Sequence, residues 1–484
     1  MTVNIKQTRM RMEMKLLKTF RNNINKAIIV LLLFSSVLAG CASSPGNSEA
    51  ASKDGSGAVA RPANVKIKFM YIRNNVDFNK IVSGYNSETS ASFQIEAESV
   101  PADKYDETLN ALFTSGEGPD VFEIGKEWIS GYITKGWLYN LKGSINDTML
   151  RKYPDWIYQY IPEPYASDKL YTLPTGQLTI RLLYNRALFR QAGLDPDDPP
   201  KTLAELKAYA LKITDTLKGY RKYGFALNAG DGGECFEKFL EAANTYSGVN
   251  YFDYSKYKYD LNVYMPWFQA IQDMKGSESM LPGETVLKNE MALSQFAEGN
   301  IGMMYADFNA ICTLEHLRLN SSKTCDWAAA LPPAIDESAR GRGKVSMAPT
   351  GFYCVNADTG NIKSAVRLWR FLYSMENLRY MYSQGYILPV LDEIRDNSGY
   401  KPDIKNFEAF LPCVDDTVYP ATGFNTNDWS RFDAYSEVLL GARPIDEILK
   451  SESDNLNFLL IPFLSNEQIY KGDPGFDWRA PLKR

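Results

Sequence analysis

The sequence predicts an α/β fold, with central sheets flanked by helices. Three observations carry that expectation. Apolar–polar alternation at 65–71 and 93–97 interleaves with helical periodicity at 76–85 and 105–115, and a short apolar strand follows at 120–124. That β-α-β-α-β order implies a parallel sheet with right-handed crossovers. Strands and helices then alternate again beyond residue 179. The chain has 484 residues, and 444 without its first 40, which is too long for one small domain and suits two or three.

Each element follows from local chemistry. The helix of 105–115 shows Tyr105, Leu109, Leu112 and Phe113 on one face, and Gly116-Glu117-Gly118-Pro119 ends it. Residues 169–176 read as a turn-rich break. Thr179 to Asn185 is a strand and Arg186 to Ala192 a short helix stopped by Gly193. Thr202 with Glu205 three residues on forms a capping box for a helix through Ile213. Helical segments fill 234–298. Strands are expected at 299–307, 326–331 and 350–356, a strong helix at 362–373, and a helical, loop-rich tail from about 400 with turns at Gly423 and Gly441. No repeat of fixed period is present.

The first 40 residues read as a secretory signal. A basic stretch (Arg9, Arg11, Lys15, Lys18, Arg21, Lys26) precedes an apolar run from Ala27, and the run ends in Leu38-Ala39-Gly40-Cys41. The apolar run is shorter than the roughly 20 residues that a membrane-spanning helix needs. Met1 and Met14 are both possible starts. The ending resembles the bacterial lipobox, in which the chain is cut before a Cys that carries the lipid, so Cys41 is the expected lipidation site. The other reading is an ordinary signal with an incidental Cys. Residues 41–63 are small, polar and rich in Gly, Ser and Ala, and are expected to be a disordered tether with a span of roughly 25 Å.

Composition limits the function classes. The net charge is −5, and the first 40 residues carry seven Lys/Arg against one acid, so the rest stands near −11. An acidic chain of this kind is not expected to bind nucleic acid, nor to reach a membrane by charge. A single histidine, His316, excludes a multi-His metal site and leaves a His-based triad only that residue. Apart from Cys41 five cysteines remain, an odd number and no disulfide framework. Cys312 and Cys325 lie close enough in sequence to pair, while burial as small apolar residues is the simpler reading. No clustered oxygen ligands are spaced for calcium, so no metal or cofactor is expected.

Six segments, in order, resemble the extracellular solute-binding proteins of bacterial ABC importers, family 1, the sugar-binding group of the maltose-binding type. They are Ser115-Gly116-Glu117-Gly118-Pro119-Asp120-Val121 with the helix before it, then Gly136-Trp137-Leu138-Tyr139-Asn140-Leu141, then Leu170 to Leu206 with Leu183-Tyr184-Asn185-Arg186 and Ala192-Gly193-Leu194. Phe296-Ala297-Glu298-Gly299-Asn300-Ile301-Gly302 follows, then Thr350-Gly351-Phe352 to Pro389, and Gly441 to Leu449. The chain departs from the pattern after Met304, where Tyr305-Ala306-Asp307-Phe308 stands in place of the Trp the family often has.

The resemblance implies a two-lobed periplasmic-binding-protein-like fold of type II, with a ligand cleft between the lobes. The first lobe would be 64–174 plus 350–395, the second 175–349 plus 396–484. It implies a lipid-anchored protein on the extracellular face of the cell membrane, acting as a monomer, with permease subunits of an ABC importer as partners. It would capture a carbohydrate, a di- or oligosaccharide, and would not be an enzyme. Two rival readings are a surface-tethered glycosidase or lyase, for which Glu123 and Glu127 are the nearest acidic pair, and a sensory lipoprotein with the same fold.

Open α/β sheets bind ligands beyond the carboxyl ends of their strands. That rule selects Tyr71, Arg73 and Asn74 after the first strand, Glu123, Glu127 and Trp128 after the third, Gln177 at the crossing, and Asp307 and Phe308 after the strand of Met303. By resemblance, Asn427 and Trp429 add a further face. Each has a structural alternative. Trp128 and Trp137 could cap a core, Arg73 could pair with Glu123, Asp307 could cap the next helix, and Asp120 could hold its turn. The aromatic run from Tyr246 to Tyr264 could pack or line an outer cleft.

Overall fold

The computed structural model describes residues 65–465 except 74–75, 77, 89–92, 158–168, 231–233, 322–324 and 420–429. All of them lie in the unit Pro62–Arg484; Met1–Arg61 is a separate unit outside the described residues. The expected signal, the lipidation site Cys41, the tether up to residue 63, and the loop holding Gly423, Asn427 and Trp429 therefore fall outside.

Two sheets organise the described residues. In sheet I, β1 (Lys66–Arg73) lies between β2 (Gln94–Pro101) and β3 (Val121–Ile124), both parallel to it. β11 (Val345–Val355) runs antiparallel beside β3 and pairs with β4 (Pro174–Leu178) and β12 (Asp416–Val418). Sheet II has the order β10-β5-β9-β6, from Trp327–Ala330, Ile180–Asn185, Ile301–Asp307 and Tyr223–Ala226. A two-residue hairpin, β7 (Phe252–Asp253) with β8 (Lys258–Tyr259), stands apart.

The parallel β-α-β-α-β start is as expected, but sheet I as a whole is mixed, because β11 and β12 run against β3. The expected break at 169–176 contains β4, and the strand expected from 350 begins at 345. Both segments carry Pro and Gly, which locally disfavour a strand. They hold their extension because they pair with each other, Pro349 opposite Gln177 and Thr350 opposite Gly176. Gly351 adopts φ +68, and a Cβ there would run into Thr175 Oγ1, so this crossing point requires glycine.

Helix ends match their sequence signals. Thr202 and Glu205 form the full capping box, and the helix runs on to Leu217, beyond Ile213, because Leu217 is buried too. Gly116 closes the helix Ala102–Ser115 at φ 78, its N–H donating to the carbonyls of Leu112 and Phe113. The helix Ile362–Leu372 buries Ala365, Val366, Leu368, Trp369 and Leu372 on one stripe, and Trp369 Nε1 donates to Tyr353 O at 2.7 Å. Asp120 has the structural role. Its Oδ2 accepts from Lys68 N at 2.8 Å, and Thr359 Oγ1 donates to its other oxygen.

The apolar core follows the sheets. One cluster fills the face of sheet I under the helix Ala102–Ser115, with Phe113, Phe122 and Tyr132. A second lies between sheet II and the helices Leu203–Leu217, Glu234–Tyr246, Met265–Gly276, Ser430–Leu440 and Ile445–Ser465. A third covers the other face of sheet I and continues onto sheet II through Phe308, Tyr382 and Phe407. The aromatic run packs: Phe252, Tyr259 and Tyr264 sit in the second cluster. The five cysteines among the described residues are free, so Cys312 and Cys325 do not pair.

The chain leaves sheet I for sheet II at Thr179, between β4 and β5. It returns between β10 and β11. The segment 405–418 then spans both sheets, with Asn406 Nδ2 donating to Trp327 O of β10 while β12 pairs with β11.

Candidate functional site

Sheet II ends in a small pocket at the carboxyl ends of β6 and β9. Its polar lining is Asn228, Lys238, Asn289 and Asp307, with Phe239 and Tyr305 as aromatic walls. β6 delivers Asn228, which is 4% exposed and donates from Nδ2 to Asn289 Oδ1 at 2.7 Å. β9 delivers Tyr305, whose ring stacks on Phe239 and whose hydroxyl is buried without a hydrogen-bond partner. A buried unpaired hydroxyl costs roughly 1–3 kcal/mol. The pocket thus has a mixed lining, with an unmet hydrogen-bonding capacity buried in its wall.

At the carboxyl end of β3, sheet I carries a turn of its own. Glu123 is 8% exposed, and its Oε2 accepts from Ile72 N at 3.0 Å. Burial raises its carboxyl to about 7, with the Ile72 N–H holding it lower than burial alone would. The Tyr105 hydroxyl sits between the carbonyls of Glu123 and Met70, which fixes the end of β3. Trp128 is half-buried against the sheet I core, with Nε1 buried and unpartnered. Burial raises Glu241, on the helix Glu234–Tyr246, above the usual carboxylate range. Lys126 is the largest opposing charge on it, ahead of Arg431 and Lys238. Lys126, in the turn after β3, is thus close enough to the helix after β6 to act on Glu241.

The residues expected at the site divide into three groups. Glu123 lies near the end of β3 and Trp128 in the turn after it, while Asp307 ends β9 and lines the small pocket. Asp307 Oδ1 accepts from Asn309 N at 2.9 Å, so it also stabilises the turn before the helix Ala310–Ser321. Tyr71, Gln177 and Phe308 are packed inside. Tyr71 stacks on Phe69 and touches Phe78, Phe308 packs edge-on to Phe407, and Gln177 Nε2 donates to Pro389 O at 3.1 Å. Arg73 closes β1, opposite Pro101, and its side chain is outside the described residues, as are the Glu127 side chain and all of Asn74, Asn427 and Trp429. Trp137 caps the core, stacked on Phe113 at 5.0 Å beneath Lys135.

Asn228, Asn289, Lys238 and Tyr305 were not among the expected residues. The carboxyl-end rule would have found Asn228 had Tyr223–Ala226 been read as a strand. It is four residues long, contains Gly224 and has little apolar alternation to mark it. Among the described residues no group of three or more His, Cys, Asp or Glu is placed to hold a metal ion.

Two sheets joined by three chain crossings make a two-lobed fold. Residues 78–378, more than half of the chain, match the bacterial extracellular solute-binding proteins, and the chain belongs to that family. Over 118 residues it is 29% identical to a maltotriose-binding protein of Pyrococcus abyssi, covering 24% of this chain and 23% of that protein. Over 160 residues it is 28% identical to a probable amino-acid ABC transporter periplasmic-binding protein of Sinorhizobium fredii, covering 32% and 35%. The chain thus spans about a quarter to a third of the curated relatives it matches.

The likeness in fold is broader. The GacH receptor of Streptomyces glaucescens, solved unliganded and with acarbose, superposes with a TM-score of 0.68 at 18% identity over 82% of this chain and 99% of that one. The maltose/maltodextrin-binding domain of Bdellovibrio bacteriovorus bound to maltotriose gives 0.63 at 15% identity over 83% and 100%. At such identities the likeness is one of fold: the two-lobed periplasmic-binding-protein architecture.

Proposed function

We propose that this protein is the lipid-anchored, extracellular solute-binding component of an ABC importer and captures a carbohydrate, a di- or oligosaccharide, by closing two lobes on it. The lobes are 64–174 plus 350–395 and 175–349 plus 396–484, and the anchor is Cys41. The observation that carries the reading is the match of residues 78–378 to the extracellular solute-binding proteins, on a two-lobed fold. The small pocket at the ends of β6 and β9 adds an amide pair at Asn228 and Asn289, with Lys238 and Asp307 beside it. Planar amides and hydroxyls suit pairs of sugar hydroxyls, and aromatic faces suit the apolar faces of sugar rings. Both the maltotriose-binding relative and the acarbose- and maltotriose-bound structures support the same ligand class.

The contact set we propose is Arg73, Asn74, Glu123, Glu127, Trp128, Asp307, Asn427 and Trp429, joined by Asn228, Asn289 and Tyr305. Tyr71, Gln177 and Phe308 are left out because their side chains are spent on packing or on a backbone tie. Glu123 and Glu127 both stand on the sheet I side, whereas a glycosidase places its carboxyls on both flanks of the scissile bond. This favours binding over hydrolysis.

The deciding experiment is calorimetric titration of residues 64–484 against maltose, maltotriose, xylo- and chito-oligosaccharides and a set of amino acids. Saturable binding of a sugar that is recovered unchanged supports the proposal. Consumption of the sugar would establish an enzyme instead. Binding of amino acids alone would leave the fold and remove the carbohydrate.

A further inference from the structure

The densest polar construction among the described residues lies at the crossings, outside the small pocket. Arg181 is the second residue of β5, just after the chain has left sheet I. Its side chain is 2% exposed and that of Asp416, in β12, 0%. A guanidinium has five N–H donors, and all five are used. Nε donates to Ala409 O at 2.9 Å, Nη1 to Ile180 O at 2.9 Å and to Asp416 Oδ1 at 2.8 Å, and Nη2 to Leu411 O at 3.1 Å and to Asp416 Oδ2 at 2.6 Å. Asp416 Oδ2 also accepts from Cys413 N at 2.8 Å. Beside this fork, Thr179 Oγ1 donates to Phe410 O at 2.7 Å.

These bonds join all three crossings. Arg181 and Thr179 belong to the first, β4 to β5. Ala409, Phe410, Leu411 and Asp416 belong to the segment 405–418. Asp416 is opposite Val345 in the ladder to β11, which is the second. Stability alone does not account for such an arrangement, since a buried ion pair is often no better than apolar residues of the same volume. What five directional bonds do supply is one preferred geometry.

We propose that Arg181 and Asp416 are positioning residues that pin the three crossings in one relative geometry and so set how far the two lobes open before ligand arrives. Lobe closure is taken up by a few backbone angles at such crossings. The pin also reaches the pocket. Ile180, whose carbonyl Arg181 holds, is opposite Asp307 in the sheet II ladder, and Phe308 N donates to Thr179 O at 3.1 Å. The role in closure rests on the binding function proposed above, but the pin is tested without ligand.

Removing one partner strands a buried charge and can unfold the chain, so the main variant is the pair Arg181→Met with Asp416→Leu. Arg181→Lys, which keeps the charge and loses the fork, is the second. Residues 64–484 are compared by small-angle scattering and hydrogen exchange, ligand-free. The expected result is a changed radius of gyration, with exchange roughly tenfold faster at 176–181, 345–352 and 409–418 while β1, β3, β6 and β9 stay protected. Unchanged scattering and unchanged exchange at the crossings in folded variants would overturn the proposal. So would uniform loss of protection in both sheets, which marks a purely structural pair. If no solute binds the wild type, the binding function falls while this comparison still decides the pin.

Discussion

At the scale of single residues, burial governs what the site can do. Glu123 has a folded value of about 7 against 4.5 in an open chain. Between those values the folded state holds a proton that the unfolded chain has released, so stability falls as pH rises from about 4.5 to about 7, by roughly 3 kcal/mol. Glu123→Gln keeps an acceptor for Ile72 N and removes the charge. The variant should match wild type near pH 4.5 and be more stable at pH 8, by up to roughly 3 kcal/mol in urea unfolding. Parallel pH profiles for the two proteins would contradict this. Asn228→Ala should weaken sugar binding about tenfold or more, since it removes one arm of the amide pair. Equal affinities in calorimetry would take Asn228 out of the site. Glu123 and Asp307 could be named from sequence because a rule about strand ends needs only the strand. The same rule named Tyr71 and Phe308, which are buried, because alternation does not say which of two faces a residue at a strand end will take.

At the scale of elements, what could be read from sequence is what is coded locally. The capping box at Thr202, the stop at Gly116 and the stripe from Ala365 to Leu372 are settled by neighbours three and four residues apart, and they formed as expected. β4, β6 and β12 escaped because they are three to five residues long and are extended only by their partners in the sheet. The mixed direction of sheet I was hidden for the same reason, since β11 meets β3 over more than 200 residues of chain. Local coding makes a local prediction. Thr202→Ala should destabilise by about 1 kcal/mol, from the loss of the bond to Glu205 N. Hydrogen exchange should rise first in the amino-terminal turn of Leu203–Leu217. A stability change within error would show that packing of Leu203 and Leu206 holds that turn unaided.

At the scale of the whole molecule, the proposed attachment to the membrane rests on the resemblance of Leu38-Ala39-Gly40-Cys41 to the lipobox. Charge does not serve, because the chain beyond residue 40 stands near −11 and anionic lipid surfaces would repel it. No described helix is long and apolar enough to cross a membrane. A single acyl chain binds reversibly, and stable anchoring takes two. A lipobox at Cys41 would supply two, as the acyl chains of the lipid on its sulfur. Retention should then depend on one sulfur. With Cys41→Ser the protein should move almost wholly from the membrane pellet to the supernatant, while residues 64–484 keep the same melting temperature and the same affinity for any solute that binds. Retention of the variant in the pellet after a high-salt wash would show that another segment holds the membrane and would remove the lipid anchor from the proposed function.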